Sequence, residues 1–160
     1  MKPIKIVFMV IASCIVFASC KTNTKPKEST SGRHRIAGTW KLISGTIISK
    51  GDTTITNYTQ SRSFIKIIND THFAFLFHDL NRGKDTAVFS SGGGRYTLSD
   101  TVYTEHLEYC SDRGWEGHEF TFTVAVKEDT LIQKGLEEIE DAGVKRWNIE
   151  KYVRSTSNVP

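Results

Sequence analysis

Tyr103, Glu105, Leu107 and Tyr109 alternate along one short stretch of the chain. On an extended strand all four project to the same side. A carboxylate among aromatic and apolar neighbours suits a small-molecule pocket, where hydrophobic walls carry a few polar anchors. Tyr96 and Leu98 precede them with the same alternation, and Phe73, Phe75, Phe77, Phe120 and Phe122 offer wall material. Tyr96, Tyr103, Glu105 and Tyr109 are therefore expected to orient a ligand against Phe73, Phe75 and Phe122. A buried Glu105 then needs a cation, hydrogen-bond donors or a proton. The competing expectation is a filled core in which the tyrosine hydroxyls and Glu105 satisfy one another.

Other chemistry is sparse. His72 and His78 stand about 20 Å apart on an extended strand, too far to share one metal ion. His106 and Glu108 fall on the face opposite Glu105, and His118 follows the Asp112–Gly117 loop. These read as solvated residues, so neither a metal nor haem is expected and no cofactor is assigned. The chain has no Gly-x-Ser-x-Gly elbow, P-loop or zincin helix. Ser90-Ser91-Gly92-Gly93-Gly94 is glycine-rich but lacks the following helix that would present amides to a phosphate. Glu105 and Glu108 lie on opposite strand faces and do not form a glycosidase pair. No catalytic residue is assigned, and binding without chemistry is the expectation. Cys110 lacks a Cys-His pattern and reads as a buried or edge thiol.

The elements that must position these residues alternate with a period of two. Phe73, Phe75 and Phe77 share a face, as do Phe120, Phe122, Val124 and Val126, with Thr121, Thr123 and Ala125 opposite. Such runs, rich in aromatic and β-branched residues, read as half-buried strands. Turn chemistry separates them at Lys50-Gly51-Asp52, Asn69-Asp70, Asn81–Asp85, Ser99-Asp100 and Glu128-Asp129. About ten short strands with hairpin-sized gaps predict an antiparallel all-β domain, a barrel or a sandwich. Ser90–Gly94 reads as a flexible turn or a bulge. Acidic Leu136–Ala142 reads as a loop or single turn before a final strand, Val144–Arg154.

Met1 to Cys20 has the form of an export signal: Lys2 and Lys5, then apolar Ile6 to Phe17, then Ala18-Ser19-Cys20. An apolar run, two small residues and a cysteine resemble the bacterial lipobox, in which the cysteine receives a diacylglyceryl group. Ile11-Ala12-Ser13-Cys14 is a second match; Cys20 is preferred because cleavage before Cys14 leaves too short an apolar stretch. Residues 1–19 are thus expected to be a lipoprotein signal peptide and Cys20 the lipid attachment site. Residues 20–35, rich in Lys, Thr and Ser, read as a tether reaching roughly 20 Å. Lys21, in place of an acidic residue after the cysteine, resembles sorting to the outer membrane of a cell envelope. Loss of Lys2 and Lys5 takes the Lys+Arg count from 21 to 19 against 18 Asp+Glu, and the formal charge from +3 to +1. Such a balance excludes no class outright but offers nothing to a nucleic acid.

Gly38-Thr39-Trp40 opens the first strand, and with the following strands it resembles the Gly-x-Trp signature of lipocalins. The layout over residues 36–154 is similar to small lipocalin-like lipoproteins of Gram-negative bacteria. That resemblance implies an antiparallel up-and-down calycin-type β-barrel of about eight to ten strands, holding one small ligand. It implies a structural role for Trp40, covered by a basic residue of the last strand, with Arg154 preferred over Lys151. Residues 155–160 form a C-terminal tail. The expected function is a lipid-anchored envelope barrel that binds a small apolar or amphipathic molecule. The alternative is an interaction module with a filled interior that docks an envelope protein, using Trp115 and Tyr58 as exposed loop aromatics; Trp115 reads equally as a lid over a barrel mouth and, before either, as simple loop packing.

Overall fold

A computed structural model describes residues 35–156 of the 160. The export segment 1–19 with Cys14, the lipidation site Cys20, the tether as far as residue 34 and tail residues 157–160 lie outside the described residues. Nine strands follow in chain order: β1 Gly38–Ser49, β2 Asp52–Asn57, β3 Arg62–Ile68, β4 His72–Asp79, β5 Phe89–Ser99, β6 Val102–Cys110, β7 Glu119–Lys127, β8 Thr130–Ile139 and β9 Val144–Arg154. From β3 to β9 each strand pairs antiparallel with the next. β1 then pairs with both β3 and β9, which closes an up-and-down barrel of eight strands. Closure leaves no open edge in the ring. The ninth strand, β2, pairs only with β1. β1 is long enough to divide one edge between two partners, Gly38–Lys41 against β3 and Ser44–Ser49 against β2.

Alternation decides what faces the interior. On β7, Phe120, Phe122 and Val124 are buried while Glu119, Thr121, Thr123 and Ala125 are exposed. Short turns reverse the strands, with left-handed backbone at Lys50 and Gly51, at Asp100 and at Glu128. At Asn69 the side-chain oxygen accepts from the Thr71 and His72 amides, which bends the β3–β4 connection.

Two expectations need correction, and one open choice is decided. Leu136–Ile139 is strand, the second half of β8, and only the residues between Ile139 and Val144 turn. Charged residues weaken a strand only when they lack cross-strand partners. Here Glu137 sits opposite Arg146 and Glu138 opposite Lys145, and each pair closes at 2.7 and 2.6 Å respectively. Of the two readings of Ser90–Gly94 the bulge holds and the turn does not: the segment belongs to β5, and the register shifts between Gly93 and Gly94. That shift sets Gly93 opposite Tyr109 and Gly94 opposite Leu107, leaving Glu108 as the extra residue of a bulge. Past the bulge the facing reverses. Tyr109 points outward, 69% exposed, and Cys110 takes the inward place.

One end of the barrel is packed solid and forms its floor. Trp40, Leu42, Phe73, Leu98, Tyr103, Leu131 and Tyr152 are all buried there. The Trp40 indole donates to the Ile36 carbonyl at 2.7 Å. The Arg154 guanidinium lies 4.1 Å from the indole centre and donates to the Ala37 and Arg35 carbonyls at 2.8 and 2.9 Å. A stacked cation of this kind is worth about 0.5–2 kcal/mol. Gly38 has φ of +136°, and a Cβ there would come within 2.6 Å of the Arg154 Nη1 atom. Glycine is what lets the chain pass beneath the guanidinium.

Candidate functional site

The opposite half of the barrel encloses a cavity of about 380 Å³. Its apolar wall comes from Leu42, Phe64, Phe75, Leu107, Phe120 and Phe122. Three inward positions on this wall are glycines, each covered by a ring from another segment. A Cβ would fall 3.2 Å from the Tyr58 ring at Gly45, 2.5 Å from Phe75 at Gly92 and 2.6 Å from Phe122 at Gly135. The rings therefore lie along the wall instead of across it, and the space inside stays open.

Acidic and basic side chains share that space. Lys66, from the middle of β3, is buried between Phe64 and Ile68 and reaches the Glu105 carboxylate of β6 at 2.6 Å. It also donates to the Gln133 side-chain oxygen of β8 at 3.0 Å. Burial alone would lower the Lys66 pKa; the carboxylates of Glu105, Glu150 and Glu137 outweigh it and raise it above the ordinary lysine value. A second cluster joins β8 and β9, where Glu137 accepts from Arg146 Nε and Asn148 Nδ2, both at 2.7 Å. Glu150, between these clusters, accepts from the Tyr152 hydroxyl at 2.8 Å. It is half-buried and lines the cavity, and burial raises its pKa, with Lys66 opposing and Glu137 and Glu105 adding.

Two aromatic residues stand at the mouth. Trp115 ends a 3-10 turn, Arg113–Trp115, in the β6–β7 connection, where Asp112 caps the Gly114 amide. Its ring meets Phe120 at 5.7 Å and the Arg146 guanidinium at 5.1 Å. Tyr58, just after β2, packs edge-on against Phe64 and Phe77 at 6.2 and 6.0 Å. Tyr58 was expected as an exposed loop aromatic, and Trp115 as one, as a lid over the mouth or, first, as loop packing; both are half-buried and line the cavity. Packing on Gly45 and on Phe120 draws them in.

Of the residues expected to hold a ligand, Glu105, Phe75 and Phe122 line the cavity. Phe73, Tyr96 and Tyr103 are buried in the floor beneath it. Tyr96 bonds the Asn69 carbonyl at 2.8 Å and its ring packs 5.1 Å from that of Tyr103. The Tyr103 hydroxyl has no partner with hydrogen-bonding geometry. Burial, with the Glu105 charge behind it, puts its pKa well above the ordinary tyrosine value. Tyr109 lies outside the barrel altogether, for the bulge described above.

Lys66, Gln133, Glu137, Asn148 and Glu150 were missed. Their signal is parity: each shares a strand face with a residue that must be buried, Ile68, Leu131 or Tyr152. His106 pairs with Glu119 at 2.6 Å and Glu108 with Arg95, all on the outer surface. Among the described residues no group of three or more His, Cys, Asp or Glu is placed to hold a metal ion. No helix among them is long and apolar enough to cross a membrane. No protein-family model matches the chain, and no curated protein matches it either.

Proposed function

We propose that this barrel binds one small amphipathic molecule inside its open half and performs no chemistry on it. The observation that carries this reading is the cavity itself: about 380 Å³, with aromatic walls and a set of buried charges facing inward. That volume falls in the roughly 300–1,000 Å³ range of small-molecule pockets. A barrel serving only as a docking module has no need of internal space, and space lined by ions is costly unless something polar occupies it. The charged lining favours an amphipathic guest over a purely apolar one.

The same reading takes the chain as a lipocalin-like lipoprotein, anchored through Cys20 to the outer membrane of a cell envelope. The described chain begins at the floor, where Arg35 bonds the Val126 carbonyl at 2.7 Å. An anchor reached through residues 20–34 would then join the closed end and leave the mouth free. Native mass spectrometry of the full chain, after exposure to an envelope lipid extract, tests the proposal. The expected result is a bound mass at one molecule per chain; a persistently ligand-free protein would count against it.

A further inference from the structure

We infer that the open half of the barrel selects a molecule with a compact cationic head, such as a primary ammonium, held by Glu150, and an apolar tail lying against Phe75 and Phe122. This rests on the ligand reading above and narrows it.

The charges lining the cavity do not balance. Lys66 is taken by Glu105 at 2.6 Å, and Arg146 by Glu137 at 2.7 Å. Glu150 is a third carboxylate, and among the described residues no cation pairs with it; its hydrogen bond comes from the neutral Tyr152 hydroxyl. Asp112 adds a fourth at the rim. Two cations thus face four carboxylates. A partly buried carboxylate with like charges beside it is stabilised by a nearby counter-charge.

Space for that counter-charge lies beside it. Glu150 is opposite Gly45 on β1 and Gln133 on β8. Gly45 contributes no side chain, and the Tyr58 ring covers it, close enough to Glu150 for that charge to raise the Tyr58 pKa after burial has done so. A carboxylate next to an aromatic ring is an environment that suits an ammonium. The raised Glu150 pKa has a related origin: burial and the nearby Glu137 and Glu105 charges outweigh Lys66 and the Tyr152 hydrogen bond, and a bound cation relieves it.

Isothermal titration of the full chain with octylammonium, octanol and octanoate tests the inference, since these share one tail and differ in head. Octylammonium should bind at least about tenfold tighter than octanoate, with octanol between them. Glu150→Gln should bring octylammonium down to the octanol affinity and leave octanol unchanged. Equal binding of all three, or tighter binding of octanoate through Arg146, overturns the head-group assignment and leaves the pocket standing. Binding of none overturns both. The unsubstituted protein decides among these outcomes even where the variant fails to fold.

Discussion

The floor and the open half of this barrel are continuous strands, and one alternation runs through both, yet they are filled differently. At the floor, Trp40, Phe73, Tyr103 and Tyr152 reach into the centre and interlock. Higher up, glycines and charged residues take several of the inward positions, and the Tyr58, Phe75 and Phe122 rings lie over the glycines. Phe73 and Phe75 state the contrast most simply. They sit two residues apart on the same face of β4; one is part of the floor and the other lines the cavity. Strand periodicity therefore decides which side a residue takes, and side-chain volume at each level decides whether the level is solid.

The contrast can be broken most severely at Lys66. Lys66→Met leaves Glu105 buried without its cation, and chemical denaturation should show a loss of about 3–5 kcal/mol. Adding Glu105→Gln should restore most of that. If the single change costs no more than a surface substitution, the interior is far wetter than its geometry says.

A smaller effect separates the two phenylalanines. Phe73→Ala opens a void in packed surroundings and should cost about 3–5 kcal/mol. Phe75→Ala enlarges a space that already exists, so it should cost less by about 1–2 kcal/mol, lacking most of the cavity term. Equal losses in parallel denaturation curves would erase the distinction between the halves.

The smallest effect is the sign of a pH dependence. Glu150 has a folded pKa above its ordinary value of 4.5, so its contribution to stability is full below that pH and declines as pH rises through the folded value. Facing it are Lys66 from β3, Glu105 from β6, Glu137 from β8, Arg146 and Tyr152 from β9, and Tyr58. Lys66 and Tyr152, with pKa values raised from already high ones, stay protonated across this window. Glu150→Gln should thus become more stable than the parent as pH rises from acid to neutral, measured by melting temperature. A variant that loses stability over that range would show that Glu150 is already well neutralised.

The all-β architecture was legible from alternation alone, because period two is imposed by the pleat and survives almost any choice of inward residue. The floor was legible at Trp40 and Arg154, whereas Phe73 and Tyr103, expected against a ligand, lie in it. What escaped was local. The glycines at Ser90–Gly94 allowed a bulge, but nothing in them or in Glu108 says that it reverses Tyr109, since a bulge depends on both strands at once. Acidic Leu136–Ile139 hid a strand, because the partners that neutralise it come from β9. Parity with Ile68 and Tyr152 turns Lys66 and Glu150 inward, but what they meet there is known only from the opposite strands. Burial of a charge is a property of the pair, and pairing across a barrel is non-local.

The central claim is that the upper interior is real, reachable space. Fluorescence titration of the full chain with the neutral dye N-phenyl-1-naphthylamine tests it most directly, with Leu107→Trp as the variant that fills the cavity from β6. The account predicts saturable enhancement at one dye per chain, abolished by Leu107→Trp while the barrel remains folded. Absence of saturable binding to the folded parent, or binding that Leu107→Trp leaves intact, would contradict it.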